Sequence, residues 1–325
     1  MAMLNNIQAV NDALMVEMGR DPSVIVMGED VGKEGGVFRA TTGLQEKFGR
    51  ERVVDTPLSE NGIIGTAIGL ALNGIKPVCE IQFSGFVYAG YEELIAHASR
   101  IRQRTMGRFS VPMVVRMPYG GGVKALEHHS ESYETIFLHD PGLKVVAPST
   151  PADLKGLLIA SIRDPDPVIF LEHIRLYRAH REEVPDGEYT VPIGKAKVTL
   201  PGKDLTIVAW GAMVNVSLEA AKTLQEQGIA AEVIDLRTLK PLDKDAILDS
   251  VKKTGRLVIV EEAHRILGFG SEISAIVSEE AILHLKGPVI RVSGYDIRFP
   301  LYKLEDQYLP DPERVVAAAK EVMQY

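Results

Sequence analysis

Apolar residues recur along this chain in two alternating rhythms. Ile7, Val10, Leu14 and Met18 fall at helical spacing, and "RDPSVIVMGED" then turns through a proline into a short apolar run that ends in polar residues. That predicts a helix followed by a buried strand. The grammar repeats: "RVVDT" reads as a strand, 60 to 73 as an apolar helix, "KPVCEIQF" as a strand and 87 to 104 as a helix. Strand "VPMVVRMP", a glycine-rich loop, strand "LKVVAPST", a helix from about 151 to 162 and strand "PVIFLEH" follow. Apolar strands alternating with helices predict an α/β fold, a parallel sheet covered on both faces.

The pattern weakens in "REEVPDGEYTVPIGKAKVTLPGKD", rich in Pro, Gly and charge, then resumes with "LTIVAWG", a helix over 213–227, "AAEVIDLRT", a helix over 243–253, "RLVIVEEA", a helix over 271–285, "PVIRVSG" and a last helix over about 311–323. The expectation is a first domain over 1–180, a linker over 181–203 and a smaller α/β domain over 204–325. In "LPDPERVV", Asp311 can cap the last helix, with Pro312 at its first position.

Composition narrows the function classes. The 325 residues are 46% hydrophobic and 25% charged, with a net charge of -8. Nothing offers the basic footprint that nucleic acid needs. No stretch of 18 apolar residues occurs and the N-terminus lacks a basic region before an apolar core, so no membrane segment is expected and a cytoplasmic location is. The single cysteine, Cys79, excludes an internal disulfide and fits a reducing compartment; as a core residue on a buried strand it outweighs a nucleophile.

An α/β chain invites nucleotide fingerprints, and none is present. "GEDVGK" is too short for a P-loop, and "GFGSEIS" lacks the third glycine of a dinucleotide turn. A phosphorylated cofactor would therefore need its phosphates held by another chain.

Three stretches carry polar residues in unusual places. In "DTPLSENGIIGTAIGLALNG", residues 55–74, Glu60 opens an apolar helix, suited either to the helix dipole or to chemistry. Gly62, Gly65 and Gly69 on that helix admit a close backbone, inside the domain or across a subunit interface. "YGGGVKALEHHSESYE", residues 119–134, gathers His128 and His129 with Glu127, Glu131 and Glu134 around a flexible turn. One histidine facing a cleft outweighs a metal site, because neighbouring histidines on extended chain point apart. "SRIRQRTMGR", residues 99–108, is a basic run fit for a solvated face or a partner contact.

Together "VIVMGEDVGKEGGVFRATTGL", "DTPLSENGIIGTAIGLALNG", "EIQFSGFVY", "PYGGGVKALEHHSES", "GLKVVAPSTPADLKGLL", "DPVIFLEH" and "VIDLRTLKPLD" closely resemble the β subunits of the thiamine-diphosphate-dependent decarboxylating component of 2-oxo acid dehydrogenase complexes. The resemblance runs from residue 4 to residue 325. It implies a transketolase-like fold, with a pyrimidine-binding domain followed by a transketolase-type C-terminal domain. It also implies partners: an α subunit that holds the cofactor's diphosphate and Mg²⁺, in a tetramer of two α and two β chains, and a lipoyl acyltransferase core.

Carried over by that resemblance, Glu60 is the glutamate that hydrogen-bonds the pyrimidine ring nitrogen of thiamine diphosphate. Proton exchange there readies the cofactor's thiazolium carbon to lose its proton, while the cofactor supplies the electron sink. Apolar neighbours such as Leu58, Ile63 and Ile64 would raise such a carboxyl by desolvation. Phe86 matches the aromatic residue stacked on the pyrimidine; Glu29, Leu58, Ser59 and Gln82 match the same pocket, and Phe83 the substrate side. His129, just before Ser130, matches the catalytic histidine that helps bind the 2-oxo acid and handles protons, with His128 as a variation beside it. Some relatives hold a structural K⁺, whose matching positions here are Met113, Ser161, Ile162, Asp164 and Asp166.

"RVSGYDIRFPL" and "VAWGAMV" resemble the branched-chain 2-oxo acid enzymes more than the pyruvate enzymes, so branched-chain substrates are the expectation and pyruvate the alternative. Two other classes stand beside this reading: a metal hydrolase built on 127–131, and a non-catalytic scaffold for the acyltransferase core.

Overall fold

A computed structural model describes all 325 residues, which form two compact units: residues 1–119 with 136–193, and residues 120–135 with 194–325.

In the first unit, β1 (Ala2–Leu4) and β8 (Glu182–Val184) form a small antiparallel pair apart from the main sheet. The main strands are β2 (Val24–Gly28), β3 (Val53–Asp55), β4 (Lys76–Glu80), β5 (Val114–Tyr119), β6 (Lys144–Val146) and β7 (Val168–His173). They lie in the order β6-β7-β5-β4-β2-β3, and every neighbouring pair is parallel. β2, β5 and β7 are buried at every residue, as a sheet covered on both faces demands. Helix Asn6–Arg20, closed by a capping box from Asn5 to Gln8, lays Val10, Leu14 and Met18 in the same core as Leu154, Leu157 and Leu158 of helix Pro151–Arg163. Cys79 is fully buried and its thiol is pushed up to about 12 by burial, which makes it a core residue.

The helix expected over 87–104 is broken. An α-helical turn at Tyr88–Glu92 widens into a π turn at Glu93–His97, tightens at Ala98–Arg100 and closes as a short helix at Ile101–Arg104. Carbonyls freed by the widening are taken by the run's own side chains. Ser99 Oγ and Arg100 Nε donate to the Ile95 carbonyl at 3.0 and 2.7 Å, and Arg104 donates to that of Ala96 at 2.7 Å. Part of the basic run thus holds its own backbone.

The second unit carries β9 (Lys197–Leu200), β10 (Leu205–Ala209), β11 (Ala231–Asp235), β12 (Thr238–Lys240), β13 (Leu257–His264) and β14 (Ile290–Gly294). One sheet runs β14-β13-β10-β11-β9, parallel except for β9, which joins the edge antiparallel. Helices Ala212–Glu226, Lys244–Thr254, Phe269–Glu280 and Pro312–Val322 flank it. The helix expected over 271–285 ends at Glu280, followed by a single tight turn at Ile282–His284. At the last helix, Asp311 accepts the Arg314 N–H at 2.8 Å and Pro312 occupies the first turn.

Candidate active site

In the first unit the chain lays β3 on one side of β2 and then returns to lay β4 on the other. Ligands of open parallel sheets bind at the carboxyl ends of strands where the strand order reverses in this way. Glu29 directly follows β2, Leu58, Ser59 and Glu60 follow β3, and Gln82, Phe83 and Phe86 follow β4. All seven residues expected at the cofactor or on its substrate side in this unit therefore fall on three connections at one edge of one sheet.

Ser59 caps the helix Glu60–Leu72 by accepting the Gly62 N–H at 3.2 Å, which fixes Glu60 in the first turn, where the helix dipole favours a carboxylate. Glu60 is only 9% exposed, yet its carboxylate finds no hydrogen-bond or ion-pair partner in the chain. An acid in the first turn of a helix with no partner in the chain is a candidate for contact with a ligand. Glu29 stands close enough to feel it: burial first, then the Glu60 charge and that of Asp30, raise the Glu29 carboxyl above its ordinary value.

Aromatic rings occupy the connection that follows β4. Phe83 meets Phe86 edge-on with centroids 5.6 Å apart, and meets Phe38 at 5.5 Å, which fixes the ring orientations while leaving Phe83 and Phe86 half-buried. An acid with no partner in the chain and held, partly open aromatics, on connections at the same end of one sheet, suit a flat, nitrogen-bearing ring such as the pyrimidine of thiamine diphosphate.

Two expectations change here. Leu58 is 78% exposed and shields no carboxyl within this chain, while Ile63 and Ile64 turn into the core. The helix glycines behave differently from one another: a Cβ on Gly69 would meet nothing within 4 Å, on Gly65 only Glu93 at 3.7 Å, and on Gly62 only the cap Ser59. Close packing inside the unit does not call for them. The glycine that does permit a close approach is Gly90, where a Cβ would stand 2.8 Å from the Glu60 carbonyl oxygen and 2.6 Å from Ile64 Cδ1.

The glycine-rich loop belongs to the second unit. Gly120 N–H donates to the Glu131 carbonyl at 3.1 Å, closing the loop, and His129 ends a single tight turn, Glu127–His129. His129 is half-buried; His128 is exposed, its Nδ1 3.4 Å from Glu131, which also lies 3.7 Å from Arg298. No group of three or more His, Cys, Asp or Glu side chains is placed to hold a metal ion, so the hydrolase alternative lacks its ligands.

The positions matched to K⁺ lie together around the end of helix Pro151–Arg163. Met113, Ser161 and Ile162 are buried, and the carbonyls of Met113 and Ser161 already accept the N–H groups of Val168 and Asp164. Both Asp164 oxygens lie 2.6 Å from Lys144 Nζ, and Asp166 lies 2.5 Å from Arg102 Nε. Each acid side chain is matched by a cation, which leaves backbone carbonyls as the donors a K⁺ would use at these positions.

Sequence reasoning passed over two groups of residues. Glu80 and Glu172 close on Arg116 in the first unit, and Glu262 and Glu305 reach the glycine-rich loop in the second. The signal was readable for most of them: Arg116 within "VVRMP" and Glu262 within "LVIVEEA" are charges inside strands apolar enough to be buried.

Both units fit a transketolase fold, and comparison with known proteins agrees. Residues 2–180 match the transketolase pyrimidine-binding domain and residues 194–315 the transketolase C-terminal domain. The chain is 51% identical over 317 residues to the pyruvate dehydrogenase E1 component subunit beta of Acholeplasma laidlawii, covering 98% of this chain and 97% of that one. It is 51% identical over 325 residues to the protein of the same name from Bacillus subtilis, covering both chains completely. A solved split gene transketolase, an inactive β4 tetramer, superposes with a TM-score of 0.82 at 26% identity, covering 99% of each chain. The chain belongs to the transketolase-like β subunits of the 2-oxo acid dehydrogenases, a thiamine-diphosphate-dependent family. The relatives carry the pyruvate name, which supports the pyruvate alternative better than the branched-chain expectation. No helix is long and apolar enough to cross a membrane.

Proposed function

We propose that this chain is the β subunit of a pyruvate dehydrogenase decarboxylating component, working with an α subunit in a tetramer of two α and two β chains and passing its acyl product to a lipoyl acyltransferase core. The observation that carries the chemistry is the buried, partnerless Glu60 coupled to Glu29 where the strand order reverses. Glu60 holds and exchanges a proton at the pyrimidine ring nitrogen of thiamine diphosphate. The cofactor, when bound, supplies the electron sink for decarboxylation. Phe86 stacks on the pyrimidine; Glu29, Leu58, Ser59 and Gln82 line the pocket, and Phe83 and Phe86 face the substrate. His129 binds the 2-oxo acid and moves protons during decarboxylation or acyl transfer.

The α subunit holds the diphosphate and Mg²⁺, consistent with the lack of any phosphate fingerprint here. The exposed glycine positions of helix Glu60–Leu72 and the exposed Leu58 fit contact with another chain. Location in the cytoplasm and the domain division at 1–180, 181–203 and 204–325 remain part of this reading.

Pyruvate rests on full-length identity to relatives of that name. The test is a substrate panel on the tetramer assembled with its α partner, comparing pyruvate with the three branched-chain 2-oxo acids. Pyruvate is expected to lead in kcat/KM by at least about tenfold, and a lead for 2-oxoisovalerate would restore the branched-chain reading.

A further inference from the structure

Residues 121–132 pose a physical problem. Gly120, Gly121 and Gly122 give this stretch more conformational freedom than any other triplet in the chain, and Gly120, Gly122 and Lys124 all adopt positive φ, at 82°, 94° and 59°. Left to itself such a segment would sample many shapes, and His129 with it.

Two buried carboxylates prevent this. Glu262, near the end of β13 and 3% exposed, uses one oxygen, Oε1, to accept both the Gly121 N–H at 2.6 Å and the Ser132 hydroxyl at 3.1 Å. A single oxygen therefore ties the first and last residues of the stretch together, with His129 in the turn between. Glu305, fully buried, accepts the Gly122 N–H at 2.5 Å and the Lys124 N–H at 3.2 Å through its own Oε1. A carboxylate has the lone pairs to take two donors at once, and charge-assisted bonds to backbone N–H are short and strong. Phe299 completes the fit, since a Cβ on Gly121 would stand 2.3 Å from its ring. At the far end Trp210 Nε1 donates to Glu134 at 2.9 Å.

We propose that Glu262 and Glu305 are positioning residues for the reaction: they clamp the loop backbone at Gly121, Gly122, Lys124 and Ser132 and thereby fix where His129 stands. Neither touches substrate or cofactor; both act through the loop. The proposal rests on the reading of His129 as the residue that meets the 2-oxo acid.

The test uses the tetramer assembled with the α partner, carrying E262A, E305A, E262Q, E305Q, H129A or H129A with E262A. Amide hydrogen exchange over 120–132 is expected to quicken about tenfold or more in the alanine variants. kcat is expected to fall about tenfold or more in those variants, while thiamine diphosphate binding, read by titration, stays within about twofold. The glutamine variants keep an acceptor oxygen and should recover most of both losses. That recovery also separates positioning from a failure to fold. The double variant should be no slower than H129A alone, because Glu262 acts through the residue already removed.

Unchanged loop exchange in both alanine variants would overturn the clamp. Losses that multiply in the double variant, or weaker cofactor binding in step with kcat, would overturn positioning through His129. A fully active H129A would overturn the reading of His129 and with it the catalytic consequence, while quickened exchange in E262A would still uphold the clamp.

Discussion

In the first unit the buried acids Glu80 and Glu172 close on a cation, Arg116, at 2.8 and 2.6 Å, whereas in the second Glu262 and Glu305 close on backbone N–H groups of a glycine-rich loop. The first arrangement joins strands already fixed: β4, β5 and β7 each contribute one member, and Tyr177 adds a 2.7 Å hydrogen bond to Glu172. Burial raises the Glu80 carboxyl against the pull of Arg116, while the two acids keep the guanidinium charged, its pKa well above the ordinary value. The second arrangement shapes a segment with no fixed form of its own. Buried acids matched to a cation hold a sheet together; buried acids matched to amides hold a loop in one shape. Glu60 belongs to neither set, and the proposed function gives it a ligand instead.

The sharpest way to break this three-way division is Glu60→Ala. Activity of the assembled enzyme should drop about 10²- to 10⁴-fold, the usual worth of a positioned acid or base, with the melting temperature little changed. Full activity in a dehydrogenase assay would sink the role given to it. Arg116→Ala should do the opposite, destabilising the chain by about 3–5 kcal/mol in denaturant titration, because two buried carboxylates lose their cation. A loss under about 1 kcal/mol would mean the cluster is wetter than its burial implies.

Glu261, beside Glu262 on β13, sharpens the second half of the comparison. Its carboxyl is fully buried, accepts the Gly270 N–H at 3.0 Å and is raised to about 7, by burial first and then by the Glu134 charge. A folded pKa above the unfolded one means stability that is full below about 4.5 and lost as pH rises through about 7. Glu261→Gln cannot ionise, so it should gain on the parent chain between those pH values, by up to about 3 kcal/mol at pH 8, and match it near pH 4. Parallel stability curves would refute the raised carboxyl. The smallest effects belong to the helix caps, one in each unit: Ser59→Ala and Asp311→Ala should each cost about 1 kcal/mol of stability.

Much of this was legible in sequence because it is local. The alternation of apolar strands and helices follows from periodicity, and the Asp311 cap from two adjacent residues. The reversal of strand order that gathers Glu29, Glu60 and Phe86 is a property of topology, and the family resemblance supplied what periodicity could not. The broken helix at 88–104 was hidden, because a π turn is paid for by side chains such as Ser99 and Arg100 reaching back to carbonyls, and helical spacing does not encode that. Glu262 and Glu305 were hidden for another reason: their partners are backbone amides 141 and 183 residues away, groups that leave no mark on composition.

The burial of Cys79 has a practical side. A chain whose one thiol is shut in the core is silent toward maleimides while folded. A cysteine introduced at Leu126, which is 62% exposed on the loop ahead of His129, would then carry the sole reactive sulfur. A spin label or dye attached there would report, on this chain alone, how firmly the loop is held.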